Sequence, residues 1–106
     1  MSNRYLSLNE GTFPVAIKVL DGQTEHKIKN FKIRSLTVEE SLEIQIAMTG
    51  NKFIGVAELC GATDLIDADG KSHALEYDAL MQSSSQNLRY LENKRAELDV
   101  KESAED

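Results

Sequence analysis

The sequence predicts a small α+β fold, an N-terminal antiparallel β-hairpin followed by three to four short α-helices. Three observations carry this reading. Val15, Ile17 and Val19 alternate with Ala16 and Lys18, the period of two expected of a strand with one buried face. Asp21-Gly22 then supplies a dipeptide suited to a two-residue turn with positive φ. From Thr37 the apolar period lengthens toward 3.6, and Thr37-Val38-Glu39-Glu40 has the form of a capping box, in which the hydroxyl and the carboxylate each satisfy the other residue's amide.

Residues 1–12 read as an irregular arm, with Asn9-Glu10-Gly11 as a break. The hairpin occupies 13–36. A turn closing between Leu20 and Gln23 would place Val19 opposite Thr24, Ile17 opposite His26, Val15 opposite Ile28 and Lys18 opposite Glu25. Pro14 near the start of the first strand fits an edge position, because proline donates nothing to a ladder. In the second strand Ile28 lies on one parity and Phe31 and Ile33 on the other, so a bulge or bend at Lys29-Asn30 is needed to turn all three inward. Lys27, Lys29, Lys32 and Arg34 then face outward, where lysines on an exposed edge block strand-to-strand aggregation.

The helical part spans 37–98. In its first helix Val38, Leu42 and Ile46 form a stripe at i, i+4, i+8 that is expected to face the core, with Gly50 as the terminator. Phe53, Val56, Ala57 and Cys60 repeat the pattern in a short second helix that Gly61 is expected to close in the left-handed conformation. Residues 62–74 read as a loop with a small hairpin at Asp69-Gly70. Leu75, Leu80 and Met81 are core candidates of a further helix, and Ser83-Ser84-Ser85 marks a break or N-cap before a last helix carrying Leu88, Tyr90, Leu91 and Leu98. Residues 99–106 read as a charged, flexible tail.

Composition narrows function mainly by exclusion. Apolar residues make up 41% and charged residues 28%, as in an ordinary globular domain, and 106 residues are enough to bury roughly 60 to 70% of the unfolded surface. Twelve basic against 18 acidic side chains give a formal charge of −6, with no basic patch large enough to follow a phosphate backbone, so nucleic acid is not expected as a partner. No apolar run approaches the ~20 residues of a membrane helix, and residues 1–5 lack the apolar core of a signal peptide. A single cysteine, Cys60, cannot form an internal disulfide and suits a reducing compartment, so a cytoplasmic location is expected.

No catalytic, cofactor-binding or metal-binding constellation emerges, and the chain is not expected to be an enzyme. Cys60 lies among apolar neighbours with no base at hand and reads as an inert buried thiol. Asp67-x-Asp69-Gly70 has the opening of a calcium loop, but Lys71 occupies the fifth position and glycine the fourth instead of the sixth. His26 and His73 have no second ligand at local metal-binding spacing; His26 reads as a core or rim histidine beside Ile17, and His73 as a solvated loop residue. Lack of a site shifts weight toward a protein that acts by binding another chain.

The order of these features resembles the small tail assembly chaperones of Mu-like and P2-like contractile-tail bacteriophages and prophages. The resemblance runs over roughly residues 13–98 and rests on Val15 to Val19, the Asp21-Gly22 turn, Phe31 to Arg34, the Leu36-Thr37 helix start with Glu39-Glu40, and Leu75 to Leu80 with Asp78. Two features depart from the family pattern: the polar loop at residues 67–70 and the charged segment Glu92-Asn93-Lys94-Arg95. The resemblance implies an assembly factor in the bacterial host cell that binds and shields the tape measure protein before the tail tube forms around it. Contacts are then expected from apolar helical residues outside the main stripes, Ile44, Met48, Ile54 and Tyr90, which could equally serve self-association. Two other readings are a virion structural subunit of the tail or head completion, and a mobile-element regulator acting by protein binding.

Overall fold

The computed structural model describes residues 8–47 and 53–105, with side chains through residue 100. The chain folds as an antiparallel four-stranded sheet, β1 (Leu8–Asp21), β2 (Thr24–Arg34), β3 (Thr63–Ile66) and β4 (Ser72–Ala74), in spatial order β1-β2-β3-β4. Four helices complete it: α1 (Val38–Ala47), α2 (Ile54–Ala62), α3 (Tyr77–Met81) and α4 (Ser85–Glu105). The α+β class and the N-terminal hairpin are as the sequence predicts.

Helices and sheet share one core. Ile17, Ile28, Phe31, Ile33 and Leu65 from the sheet meet Leu59, Leu80, Leu91 and Leu98 from the helices. Phe13 and Phe31 stack at a centroid distance of 4.4 Å, and Tyr90 meets Phe31 edge-on at 6.0 Å. Lys27, Lys29 and Lys32 are exposed. Lys32 does not guard an edge, because β3 pairs with Asn30 to Ile33; Lys27 and Lys29 lie on the part of β2 that precedes this pairing.

The hairpin loop lies one residue later than expected, which shifts every cross-strand partner by two. Asp21 faces Thr24, Val19 faces His26 and Ile17 faces Ile28, so the two loop residues are Gly22 and Gln23. Gly22 takes φ +67° at the first loop position, as a type II′ turn requires, whereas the anticipated Asp21-Gly22 loop would have forced Asp21 to positive φ as well. Lys18 consequently faces Lys27, and Leu20 faces Glu25.

Ile28, Phe31 and Ile33 are all buried, as the parity argument requires. The extra residues, though, are on β1: between the pairs Thr12–Asn30 and Ile17–Ile28, four residues of β1 lie opposite Lys29 alone. Pro14 sits in that irregularity on an edge strand, where its missing N–H leaves no ladder bond unmade. Val15 is turned out of the core at the same point. Its free peptide groups are taken by Asn87 of α4, whose Oδ1 accepts from the Val15 amide at 3.1 Å and whose Nδ2 donates to the Val15 carbonyl at 2.9 Å. An amide side chain thus substitutes for a neighbouring strand and fixes α4 against β1.

Boundaries also move at three places. β1 starts at Leu8, so the second half of the expected arm is paired strand, with Leu8 opposite Arg34 and Gly11 opposite Phe31. The loop at 62–74 contains β3 and β4, and the small hairpin at Asp69-Gly70 is present, with Gly70 at φ +81°. α4 continues to Glu105 through the expected flexible tail. Its start behaves as anticipated, since the Gln86 amide donates to Ser84 Oγ at 3.1 Å. α2 runs through Gly61 straight into β3, without a left-handed residue. No helix among the described residues is long and apolar enough to cross a membrane.

Candidate functional site

The helical layer presents an apolar surface whose origin lies in how α1 is held. The capping box forms as the sequence predicts: the Glu40 amide donates to Thr37 Oγ1 at 3.1 Å and the Thr37 amide donates to Glu40 Oε1 at 3.0 Å. Arg34, at the end of β2, donates to both Glu40 oxygens at 2.9 and 2.8 Å, so the strand end and the helix start are tied by a bidentate pair. The Arg34 hydrogen bond is the chief reason that the Glu40 carboxyl is held down to about 2.

Farther along α1, Ser41 Oγ donates to Glu58 Oε2 of α2 at 2.6 Å, and Gln45 Nε2 donates to the same oxygen at 3.4 Å. Arg95 of α4 reaches the other Glu58 oxygen at 3.4 Å. Glu58 therefore joins three helices, and the Ser41 bond is the first cause of its lowered pKa. Ile44 leans on the same neighbour helix: its Cδ1 lies 2.6 Å from where a Cβ on Gly61 would stand, so glycine is what permits the close approach.

This attachment turns the Val38, Leu42, Ile46 stripe outward. None of the three reaches the core, and Val38 and Ile46 are 77% and 81% exposed. The expectation that this stripe packs inward is overturned, because the polar clamp at Glu58 claims the Ser41 side of the helix. Phe53 and Met81, also expected inside, are exposed as well. Phe53 donates its amide to the Tyr77 hydroxyl at 2.9 Å, which fixes the start of α2 against α3.

Beside α1 a groove of about 590 Å³ opens between α2, α3 and α4, floored by Val56, Leu59 and Leu88 and walled by Phe53, Ile54 and Met81. Glu92, Arg95 and Asp99 form its polar rim. Arg95 and Asp99 also border a smaller recess that contains Val38, so α1 and the groove share one wall of α4. The arrangement suits an apolar helix laid along the helical layer.

The three contact candidates among the described residues are dispersed. Ile54 lines the groove, whereas Ile44 is half-buried on Gly61 and points away from the exposed stripe. Tyr90 belongs to a different region, packing against Phe31 near Gly11, with Lys94 Nζ 5.6 Å from its ring. Met48 lies outside the described residues. Val38, Leu42, Ile46, Phe53 and Met81 were absent from the candidates because apolar residues at helical spacing ordinarily mark a core face. A surplus of such stripes over the inward positions a short sheet can cover was the available signal.

Cys60 is buried, and burial pushes its thiol up to about 11, which fits an inert side chain. His73 departs from the solvated reading. It stands on β4 opposite Leu65, and its Nε2 donates to Asp67 Oδ2 at 2.8 Å. Asp67 Oδ1 accepts from the Asp69 and Lys71 amides at 2.9 Å each, closing the turn before β4. His73 is the main cause that holds the Asp67 carboxyl down to about 2. His26 lies opposite Val19, not Ile17, with its ring centroid 5.3 Å from that of His73.

The groove and the outward α1 stripe define the class as a small α+β domain with an apolar helical face that is exposed among the described residues. No protein-family model, curated protein or solved structure matches the chain.

Proposed function

We propose that this chain is a binding protein for an amphipathic helix, and specifically a tail assembly chaperone that shields the tape measure protein during phage or prophage tail morphogenesis in the bacterial cytoplasm. The observation that carries the binding reading is the Val38, Leu42, Ile46 stripe, exposed on a capped and clamped helix that shares a wall with the apolar groove. An apolar stripe left outside the core beside an apolar groove supports a docking place for another chain. The partner's identity rests on the resemblance at residues 13–98.

Glu92 and Asp99 on the rim favour an apolar helix flanked by lysine or arginine, since Arg95 between them already reaches Glu58. Tape measure proteins are long and helical, with apolar surface that aggregates until the tube covers it. Covering such a helix is a task for shape and apolar area and requires no chemistry from the chaperone.

Co-expression with the tape measure protein of the same phage or prophage tests the proposal. A soluble complex whose smaller member is missing from finished particles is the expected outcome. Failure to bind, together with presence in the particles, would instead identify a structural tail or head-completion subunit. A stable homo-oligomer that buries the α1 stripe would assign the surface to self-association.

A further inference from the structure

We propose that His26, Asp67 and His73 form a binding site for one divalent transition-metal ion. The three residues come from separate places in the sequence: His26 from β2, Asp67 from the start of the turn that leaves β3, and His73 from β4. One ring nitrogen of each histidine and a carboxylate oxygen of Asp67 lie within 4.8 Å of one another, and all three residues are partly buried. Bonds of about 2.0–2.2 Å to nitrogen and oxygen set neighbouring ligand atoms roughly 3 to 3.5 Å apart, so small side-chain rotations bring the set to bonding distance.

Two imidazoles and one carboxylate are ligands for zinc, cobalt, nickel or iron, and leave coordination positions open. Magnesium and calcium, which favour all-oxygen shells, are poorly served by this set. Asp67 is prepared for the role. Its Oδ1 is fixed by two backbone amides, which leaves Oδ2 aimed at His73 Nε2. A metal ion entering there takes the place of the proton on Nε2, and that proton leaves to solvent.

His73 also lines a cavity of about 330 Å³ with Lys18, Val19 and Glu76. Val19 is the cross-strand partner of His26, so the cavity and both histidines belong to one corner of the sheet. The groove proposed for a helix is built from other residues, and the two readings stand or fall separately.

The untagged full chain, titrated with Zn²⁺ by calorimetry and with Co²⁺ by visible absorption, tests the site. One equivalent is expected to bind, Zn²⁺ is expected to raise the unfolding midpoint, and His26→Gln is expected to weaken binding at least about tenfold. His26 takes no part in the Asp67 turn, so this variant should fold normally; His73→Gln provides a second ligand loss. Absence of binding at micromolar metal, or binding undiminished in the double variant H26Q/H73Q, would overturn the proposal.

Discussion

Asn87 decides how the last helix meets the first strand. It is fully buried, and its amide is the partner of both peptide groups of Val15 at the β1 irregularity. Asn87→Ala removes both bonds at once, and unsatisfied peptide groups cost about 1–3 kcal/mol, so urea unfolding should show a loss of that size. An unchanged midpoint would mean that water replaces the side chain there. Gly11 is constrained by a neighbour, not by φ. A Cβ at this position would stand 2.7 Å from Phe31 Cζ, on a ring locked into the core, and Gly11→Ala is expected to destabilise by roughly 1–3 kcal/mol by the same assay. Glu40 makes a pH-dependent contribution. Its folded carboxyl is held down to about 2 by Arg34, so its share of stability is complete above the unfolded value of ~4.3 and is lost as the pH falls toward 2. Glu40→Gln keeps the capping geometry and should flatten the fall of the thermal midpoint across that window; equal slopes in both proteins would count against the pairing.

Among the elements, α1 shows most clearly what could be read from the chain and what could not. Its start was legible, because a capping box depends only on residues three apart. Its orientation was not. The helix offers Val38, Leu42 and Ile46 on one side and Ile44 on another, and counting apolar residues selects the larger group. Glu58, seventeen positions beyond Ser41, decides otherwise by binding Ser41 and Gln45 and by meeting Arg95, a choice that exists only in three dimensions. The hairpin follows the same division: its presence was written in Asp21-Gly22 and the alternating valines, while its register depended on whether Asp21 or Gln23 accompanies Gly22 in the loop. If the α1 stripe is solvent-facing, Leu42→Gln with Ile46→Gln should alter unfolding free energy by no more than about 0.5 kcal/mol, the usual range for surface positions. A loss of several kcal/mol would place the stripe in a core.

At the scale of the whole molecule, a one-sided sheet is covered by α3 and α4, with α2 beside them and α1 attached mainly to α2. The fold class followed from local periodicity, but the candidate surface did not: of the three described contact residues expected from sequence, only Ile54 lines the groove. Surface apolarity emerges after the core is filled, and the filling depends on long-range pairs such as His26 with His73 and Asn87 with Val15. The outward face of α1 and the adjoining groove are the surface proposed to bind a partner helix. The most direct test of that proposal is the affinity of the purified chain for the tape measure protein, or for an amphipathic helix taken from it, before and after Leu42→Glu with Ile46→Glu. A complex at least about tenfold weaker, near 1.4 kcal/mol, is expected, with the fold retained by circular dichroism. Undiminished affinity in the folded variant would contradict it.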